Sequence, residues 1–333
     1  MKIWFDACTG KHVRLGTAVG RQLRKLGHEV LLTTRDHPDT LALAELLGEK
    51  FKVVGKYDPT SLLTMLRESA NRQLQFCDLF EEDTPDIAIT HTSIELCRVA
   101  FGLDIPAISV NDTPHNEVVK RLTLPLVDLL VSSKAIPREC WQGYGLKDII
   151  QYDGVDEVAW IKNSKPSLDV EYGKPLIVVR QFESKAAYGR GKPDIMEKLA
   201  LKLTSLGEVV FLPRYDRKPR KGLIVPQKFL DSRSLVARAD LVVTVGGTLS
   251  REAALQGTPS IVVPKGEIGS GPVNNYVSNR GFPLCFKSPS EVLESAKRMI
   301  GKKQIVTDLL ADLESPVDVI ERIIREGRVT NSD

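Results

Sequence analysis

The chain has 333 residues, of which 42% are hydrophobic and 27% charged, so it can bury a large core but exceeds the usual size of one domain. Its 46 basic and 43 acidic residues give a net charge of +3, too small for the broad positive field of a dedicated nucleic-acid binder. The five cysteines form no C-x-x-C pair, and no apolar run reaches the roughly 18 residues of a membrane span. We expect a soluble, cytoplasmic protein of two domains.

Short β-rich runs alternate with helical stretches along the first half, which is typical of parallel sheets covered by helices. The strand candidates are KIWFDA, HEVLLTT, FKVVGK, DIAITH, PAISVND, DLLVSS and IIQYDG. Between the first two, apolar residues recur at helical spacing from Val13 to Leu26, and Gly27 stands where a helix would end. The pattern predicts a doubly wound α/β domain.

The polar segment KNSKPSLDVEYGKP, residues 162–175, resembles a linker because it contains two prolines and separates two stretches of the same rhythm. The strand candidates after it are LIVVRQF, EVVFLPR, GLIVPQ, DLVVTVGG and SIVVP. We therefore predict two Rossmann-like domains, residues 1–165 and residues 166–333, with a ligand cleft between them.

Polar side chains gather after the predicted strands of the first domain, where sites in open α/β sheets lie. The candidates are Asp6, His12, His91, Ser93, Asp112 and His115. Three of the five histidines thus fall on one predicted rim, and an imidazole that changes charge near neutrality can act as a general base. Each residue alone is also explained as a polar residue of a loop or helix start.

The strand ends of the second domain have a different character, since they carry arginines and glycines. The candidates are Arg180, Arg214, Gly246, Gly247, Thr248 and Ser250, the last four within VTVGGTLSREAALQGTPSIVVP. A helix that begins after a glycine turn offers free N–H groups and a positive dipole end, both of which favour a phosphate. The pattern predicts an anion pocket; the alternative is that the glycines only form a tight turn.

The stretch GGTLSREAALQGTP resembles the donor-nucleotide motif of GT-B glycosyltransferases, especially the bacterial lipid II N-acetylglucosaminyltransferase, and of the related UDP-N-acetylglucosamine 2-epimerases. Glu252 lies six residues after Gly246 and five before Gly257. The resemblance implies that Glu252 binds the ribose hydroxyls and that Gly246, Gly247 and Thr248 meet the diphosphate. In the similar segment GPVNNYVSNRGFPLCF, it implies that Asn274 or Asn275 lies near the donor sugar.

The beginning of the chain, FDACTGKHVRLGTAVGRQLRKLGHEVLLTTR, resembles the first strand, loop and helix of the same enzymes, with ACTGKH in place of their glycine-rich loop. His12 occupies the place of their histidine base. With RVAFGLDIPAISVNDTPH and YDGVDEVAW, the likeness extends over nearly the whole chain to an archaeal family of uncharacterised GT-B-like proteins. It implies that a C-terminal helix over residues 316–326 packs back on the first domain.

The leading hypothesis is a metal-independent glycosyltransferase that uses a nucleoside-diphosphate sugar and no cofactor. Arg180, Arg214 and a helix N-terminus would stabilise the leaving diphosphate, and no D-x-D metal motif occurs. His12, or Asp112 with His115, would take the proton of an acceptor, and a lipid-linked acceptor would bring the protein to a membrane surface. The alternatives are a UDP-N-acetyl sugar 2-epimerase and a module that binds nucleotide sugar or nucleic acid without turnover.

Overall fold

The computed structural model describes residues 1–162, 166, 171–182, 195–214, 216–264 and 271–329, so the predicted linker lies largely outside it. The chain divides into two compact units, Met1–Trp160 with Glu314–Asp333, and Ile161–Leu313. The last helix belongs to the first unit, where it packs on the first helix of the chain. Its buried face carries Val319, Ile320 and Ile323, as its amphipathic sequence predicts.

The first unit contains one parallel sheet of seven strands with the order β3-β2-β1-β4-β5-β6-β7. The strands are β1 Lys2–Ala7, β2 Glu29–Asp36, β3 Lys52–Lys56, β4 Ile87–Thr90, β5 Ala107–Val110, β6 Leu129–Ser133 and β7 Asp148–Tyr152. The helices are α1 Gly10–Lys25, α2 Pro38–Leu46, α3 Leu62–Leu79, α4 Ile94–Gly102, α5 Glu117–Thr123, α6 Val158–Ile161 and α13 Pro316–Arg325, with 3-10 turns at Leu124–Leu126 and Arg138–Trp141.

Both faces of this sheet are covered, which explains why its central strands read as continuous apolar runs. Trp4 packs with Phe76 of α3 and Leu96 of α4 on one face. On the other face α1 approaches β1 so closely that a Cβ added at Gly16 would lie 2.7 Å from the ring of Phe5. Glycine is therefore required at this crossing.

The second unit contains a parallel sheet of five strands with the order β12-β11-β10-β8-β9. The strands are β8 Leu176–Arg180, β9 Glu208–Leu212, β10 Leu241–Thr244, β11 Ser260–Val262 and β12 Leu284–Phe286. The helices are α7 Met196–Leu203, α8 Ser232–Arg238, α9 Thr248–Leu255, α10 Pro272–Asn279, α11 Val292–Met299 and α12 Thr307–Ala311. The alternate residues of β8 pack into separate clusters, Ile177 with Met196 of α7 and Val178 with Leu235 of α8.

The prediction of two doubly wound α/β domains is confirmed. In the second domain, one predicted strand does not form and one strand that was not predicted does. GLIVPQ was expected to be a strand, but Ile224 forms only an isolated bridge with Val210. Pro226, which has no N–H to donate, lies in the same segment. β12 was not predicted, and with three residues it is among the shortest strands of the sheet.

Each sheet reverses its strand order once, and these switch points are where ligands bind in open α/β sheets. In the first unit the reversal lies between β1 and β4. In the second unit it lies between β8 and β10. His12 and His91 follow the first pair of strands, whereas Arg180 ends β8 and the glycine turn follows β10.

Candidate functional site

Five polar side chains form a cluster beyond the carboxyl ends of the first sheet, which we call the strand-end cluster. Its members are Lys11 and His12 in the first turn of α1, His91 after β4, Asp112 after β5, and Asp156 after β7. Four separate loops therefore place acid–base groups at one edge of the sheet. Because strands β1, β4 and β5 are neighbours, sequence reasoning could bring His12, His91 and Asp112 together in advance.

Lys11 lies between the two carboxylates of the cluster. Its Nζ is 2.5 Å from Oδ2 of Asp112 and 2.7 Å from Oδ2 of Asp156. Burial alone would raise the pKa of Asp156, but the charge of Lys11 and the hydrogen bond from His91 hold that pKa well below its usual range. Both carboxylates are therefore anions paired with one ammonium group.

His91 and Asp156 form a histidine–carboxylate dyad. The Nε2 atom of His91 lies 2.9 Å from Oδ2 of Asp156, and the hydroxyl of Tyr152 donates to the other carboxylate oxygen. A carboxylate can only accept, so the proton of the neutral His91 ring belongs on Nε2 and the lone pair on Nδ1. Nδ1 is buried and has no hydrogen-bond partner within the part of the chain that the structure describes.

The backbone next to His91 is strained. Thr92 has φ of +62°, a left-handed conformation that a β-branched residue rarely adopts. Such strain costs about 1–3 kcal/mol and concentrates at functional sites. The turn holds His91 at the end of β4, directly before α4 begins.

His12 has the opposite tautomer to the one a general base at Nε2 would need. Its Nδ1 accepts a hydrogen bond from the backbone N–H of Cys8 at 3.2 Å, which leaves the proton on Nε2. Its ring lies 4.6 Å from that of His91. Burial lowers the pKa of His12 well below its usual range, and His91 and Lys11 act in the same direction.

Asp6 and Ser93 are buried and bonded to one another. Asp6 is fully buried. The guanidinium group of Arg72 on α3 donates hydrogen bonds to both its carboxylate oxygens, at 2.9 and 2.5 Å. Ser93 donates to Asp6 at 2.6 Å, and Thr33 donates at 2.7 Å. Burial alone would raise the pKa of Asp6, but Arg72 holds it below its usual range. Both oxygens of Asp6 are already bonded within the protein, which gives Asp6 and Ser93 a structural role, and their contact with a substrate stays a prediction.

The two remaining catalytic candidates of the first unit differ in their surroundings. Asp112 is half-buried in the strand-end cluster, with Oδ1 3.6 Å from Nε2 of His91. His115 lies three residues later in an exposed turn before α5. Asp112 lies close to Lys11 and His91, and its pairing with His115 stays a prediction.

In the second unit, a glycine turn joins β10 to α9. Gly247 has φ of +92° and ψ of −163°, a conformation that is essentially restricted to glycine. Gly246 has φ of +129°, and its N–H donates to the hydroxyl of Thr244 at 2.9 Å. Thr248 is the first residue of α9, and Gly247 has no side chain that could cap the N–H groups of the first turn. The turn thus presents a helix N-terminus that no side chain of the described residues caps.

The other predicted residues of α9 and α10 differ in how deeply they are buried. Ser250 is buried, and its hydroxyl donates to the carbonyl of Gly247 at 2.8 Å, so it braces the turn. Glu252 is also buried, on the same helix. Asn274 is buried and accepts a hydrogen bond from Arg251 at 3.1 Å, whereas Asn275 is exposed. Asn275 is the better placed of the two amides for contact with a ligand.

The two predicted arginines lie at neighbouring strand ends of the second sheet. Arg180 is the last residue of β8, the strand beside β10. Arg214 follows β9 and is exposed, with its backbone N–H and its Nε bound to Gln181 at 2.9 and 3.1 Å. Because β9, β8 and β10 are adjacent, both side chains begin at the edge that carries the glycine turn.

One group of side chains has the spacing of metal ligands. Single ligand atoms of His91, Asp112 and Asp156 lie within 4.8 Å of one another. Lys11 already pairs with both carboxylates from a position between them, where a cation would have to displace its ammonium group. We therefore interpret the group as an acid–base cluster.

Sequence reasoning missed Lys11, Tyr152 and Asp156. A signal for Asp156 was present, because it lies just past the carboxyl end of β7, the kind of position that singled out His91 and Asp112. Lys11 is next to His12 in the same loop, but a single lysine has no sequence signature that separates a buried ion pair from a solvated charge.

Among the described residues, no helix is long and apolar enough to cross a membrane.

A family model described as "Protein of unknown function (DUF354)" matches residues 1–327. The chain belongs to the DUF354 family. A relative of the chain is the uncharacterized protein MJ0665 of Methanocaldococcus jannaschii. It is 30% identical over 97% of this chain and 98% of its own length. The expected likeness to an archaeal family of uncharacterised proteins is confirmed.

Solved structures show the same fold as this DUF354 protein at low sequence identity. The UDP-GlcNAc 2-epimerase from Neisseria meningitidis, bound to UDP-GlcNAc, is 15% identical with a TM-score of 0.64 over 98% of this chain and 100% of its own. The Streptomyces sp. SF2575 glycosyltransferase SsfS6, complexed with thymidine diphosphate, is 18% identical with a TM-score of 0.62 over 98% of this chain and 99% of its own. The fold is that of GT-B glycosyltransferases and these epimerases, as predicted.

Proposed function

We propose that this DUF354 protein acts on a nucleoside-diphosphate sugar and transfers the sugar to a hydroxyl acceptor without a metal ion. The observation that carries the proposal is the N-terminus of α9, entered through Gly247 at the switch point of the second sheet. Backbone N–H groups and a helix dipole at such a place favour a phosphate. Structures with the same fold hold thymidine diphosphate and UDP-GlcNAc.

The donor would bind to the second unit. Gly247 and Thr248 would meet the diphosphate through their N–H groups. Gly246, whose N–H is bonded to Thr244, would lie beside the diphosphate in the same turn. Arg180 and Arg214 would add positive charge. These groups are fixed in position before the reaction, so they can stabilise negative charge on the leaving diphosphate at little reorganisation cost. Metal independence is part of this proposal, because the arginines and the helix would take the place of a divalent cation.

Glu252 would recognise the nucleoside. A carboxylate accepts two hydrogen bonds from the vicinal hydroxyls of a ribose, and charged acceptors make the stronger bonds. Its location in α9, five residues after Gly247, places both recognition elements on one helix. Asn275, exposed on α10, would contact the sugar.

The first unit would supply the proton acceptor, and His91 is better suited to this role than the residues predicted from sequence. Asp112 is paired with Lys11 at 2.5 Å, which makes its carboxylate a weak base. Asp156 holds Nε2 of His91, and a carboxylate on one ring nitrogen orients the other as a base, as in hydrolytic enzymes, where the two nitrogens have the exchanged roles. Its Nδ1 lone pair would accept the proton.

In the proposed transfer one bond forms and one bond breaks. The acceptor oxygen forms a bond to the anomeric carbon while the bond from that carbon to the diphosphate oxygen breaks. The electron pair of the broken bond leaves with the diphosphate, next to α9. The acceptor proton moves to Nδ1 of His91, and the positive charge that develops there is compensated by Asp156.

A second candidate is 2-epimerisation of a UDP-N-acetyl sugar. The observation that favours it is the strand-end cluster itself, which brings two carboxylates, an ammonium group and two imidazoles together where a transfer reaction needs one base. Epimerisation by elimination and re-addition requires proton transfer at carbon 2 as well as departure of the diphosphate. The cluster has enough groups for both.

One experiment separates these reactions. The protein is incubated in D2O with UDP-GlcNAc, other UDP sugars or thymidine-diphosphate sugars, with and without hydroxyl acceptors, and the products are followed by NMR. Glycosyl transfer predicts free nucleoside diphosphate that depends on the acceptor, with no deuterium at carbon 2. Deuterium at carbon 2 without an acceptor would replace transfer by epimerisation. If these nucleotides neither bind nor react, the proposed function is wrong.

A further inference from the structure

We propose that His12 serves the reaction as an uncharged hydrogen-bond donor through Nε2–H, and not as the proton acceptor that its position after β1 suggests. The inference rests on the proposed function for the reaction that His12 assists. Its geometrical basis is independent of that function, because it comes from the contact between His12 and the backbone of Cys8.

The Cys8 amide determines the tautomer. A backbone N–H can only donate, and here it points to Nδ1 of His12 at 3.2 Å. A base at Nε2 would require the neutral tautomer with its proton on Nδ1, and that proton would oppose the Cys8 N–H. Accepting a second proton at Nδ1 would break the same hydrogen bond and leave a buried amide unbonded, which costs about 1–3 kcal/mol.

The surroundings of His12 also oppose a positive charge on its ring. His12 occupies the first turn of α1, where the helix dipole is positive. The titratable and charged groups that face it are Lys11, His91, Arg35 and Asp156, of which only Asp156 favours a protonated ring. The pKa of His12 is lowered well below its usual range, first by burial and then by His91 and the two cations.

The hydrogen on Nε2 remains available to a ligand. No hydrogen-bond acceptor for Nε2 of His12 lies among the residues that the structure describes. A neutral imidazole with a fixed N–H can stabilise negative charge on a ligand oxygen without giving up its proton. His12 lies next to the His91–Asp156 dyad. It would therefore donate a hydrogen bond to the ligand oxygen on which negative charge develops, while His91 accepts the proton.

Two measurements test this assignment. In the first, the protein is labelled with ¹⁵N-histidine, the His12 signals are identified by their absence in His12→Gln, and long-range ¹H–¹⁵N spectra are recorded from about pH 5.5 to 8. We expect a proton on Nε2 and a lone pair on Nδ1 throughout. A proton on Nδ1, or a doubly protonated ring near neutrality, overturns the proposal even if no substrate is known.

The second measurement compares two substitutions in steady-state kinetics. The amide nitrogen of His12→Gln can still donate near the Nε2 position but cannot act as a base, whereas His12→Ala does neither. We expect kcat of His12→Gln within about tenfold of the wild type and that of His12→Ala reduced by about 10² to 10³. The wild-type acidic limb of the pH profile should persist in His12→Gln. Equal loss in both variants overturns the donor role, whereas absent turnover in the wild type refutes the proposed function and leaves the spectra to decide.

Discussion

Two acid–base networks lie at the same edge of the first sheet. They differ in whether a hydrogen-bonding atom remains without a partner among the described residues. Asp6 is bonded by Arg72, Ser93 and Thr33 and sits at the carboxyl end of β1. The strand-end cluster also buries carboxylates with a cation, yet Nδ1 of His91 has no partner in the described chain. A network with every group satisfied fixes the fold, and a network with a spare lone pair can do chemistry.

The largest effect on the free energy of unfolding is expected for Asp6→Asn. Arg72 would lose the negative partner of a fully buried charge, and breaking such a pair costs about 3–5 kcal/mol. Denaturant unfolding should show this loss in the free energy of unfolding. The protein that remains folded should bind nucleoside diphosphate like the wild type, so a selective loss of binding would return Asp6 to the ligand site.

His91→Gln should have the converse effect. Removing the dyad imidazole should lower turnover by about 10² to 10⁴, because a general base acts in the transition state. The affinity for nucleoside diphosphate should stay unchanged, since that site is assigned to the second unit. Stopped assays for free nucleoside diphosphate, with Asp112→Asn as the matched variant, check the assignment. If Asp112→Asn abolishes turnover while His91→Gln retains it, Asp112 is the base.

The two networks also differ in how much of them a sequence can reveal. The strand-end cluster could be predicted in part, because buried parallel strands give clear apolar runs and each run ends at the same edge. Asp6 was predicted at that edge for the same reason, but its partner Arg72 lies 66 residues away on α3. A pairing of that kind depends on how α3 packs, which no local pattern encodes. The tautomer of His12 likewise depends on one backbone amide.

In the second unit, Glu252→Gln tests recognition of the nucleoside. Replacing a charged acceptor by an amide of the same shape should weaken binding of UDP by about 1.5–3 kcal/mol, roughly ten- to a hundredfold. Isothermal titration measures this change, and a thermal melt of the free variant verifies that the buried position tolerates the amide. Unchanged affinity in a folded variant removes the ribose assignment.

The smallest predicted effect is the dependence of stability on pH. Because the pKa of His12 is lowered in the folded state, the unfolded chain binds a proton at higher pH than the folded chain does. Stability should therefore fall as the pH drops below the unfolded value of about 6.5, by up to about 1.4 kcal/mol per pH unit from this residue. His12→Gln should reduce that slope in denaturant unfolding between about pH 7 and 5. An unchanged slope would show that the pKa of His12 is the same in the folded and the unfolded chain, against the expected lowering.

The measurement that tests the central claim most directly is isothermal titration with UDP and thymidine diphosphate of the wild type, Gly247→Ala and Gly301→Ala. An added Cβ meets no atom within 4 Å at either position, and both glycines have positive φ, so Gly301→Ala is a control for an alanine at a positive-φ position of the same unit outside α9. We predict that the wild type and Gly301→Ala bind at least one of these diphosphates more tightly than the corresponding nucleoside. Gly247→Ala should bind it at least about tenfold more weakly. Equal binding by all three proteins, or binding by none, would contradict a diphosphate site at the N-terminus of α9.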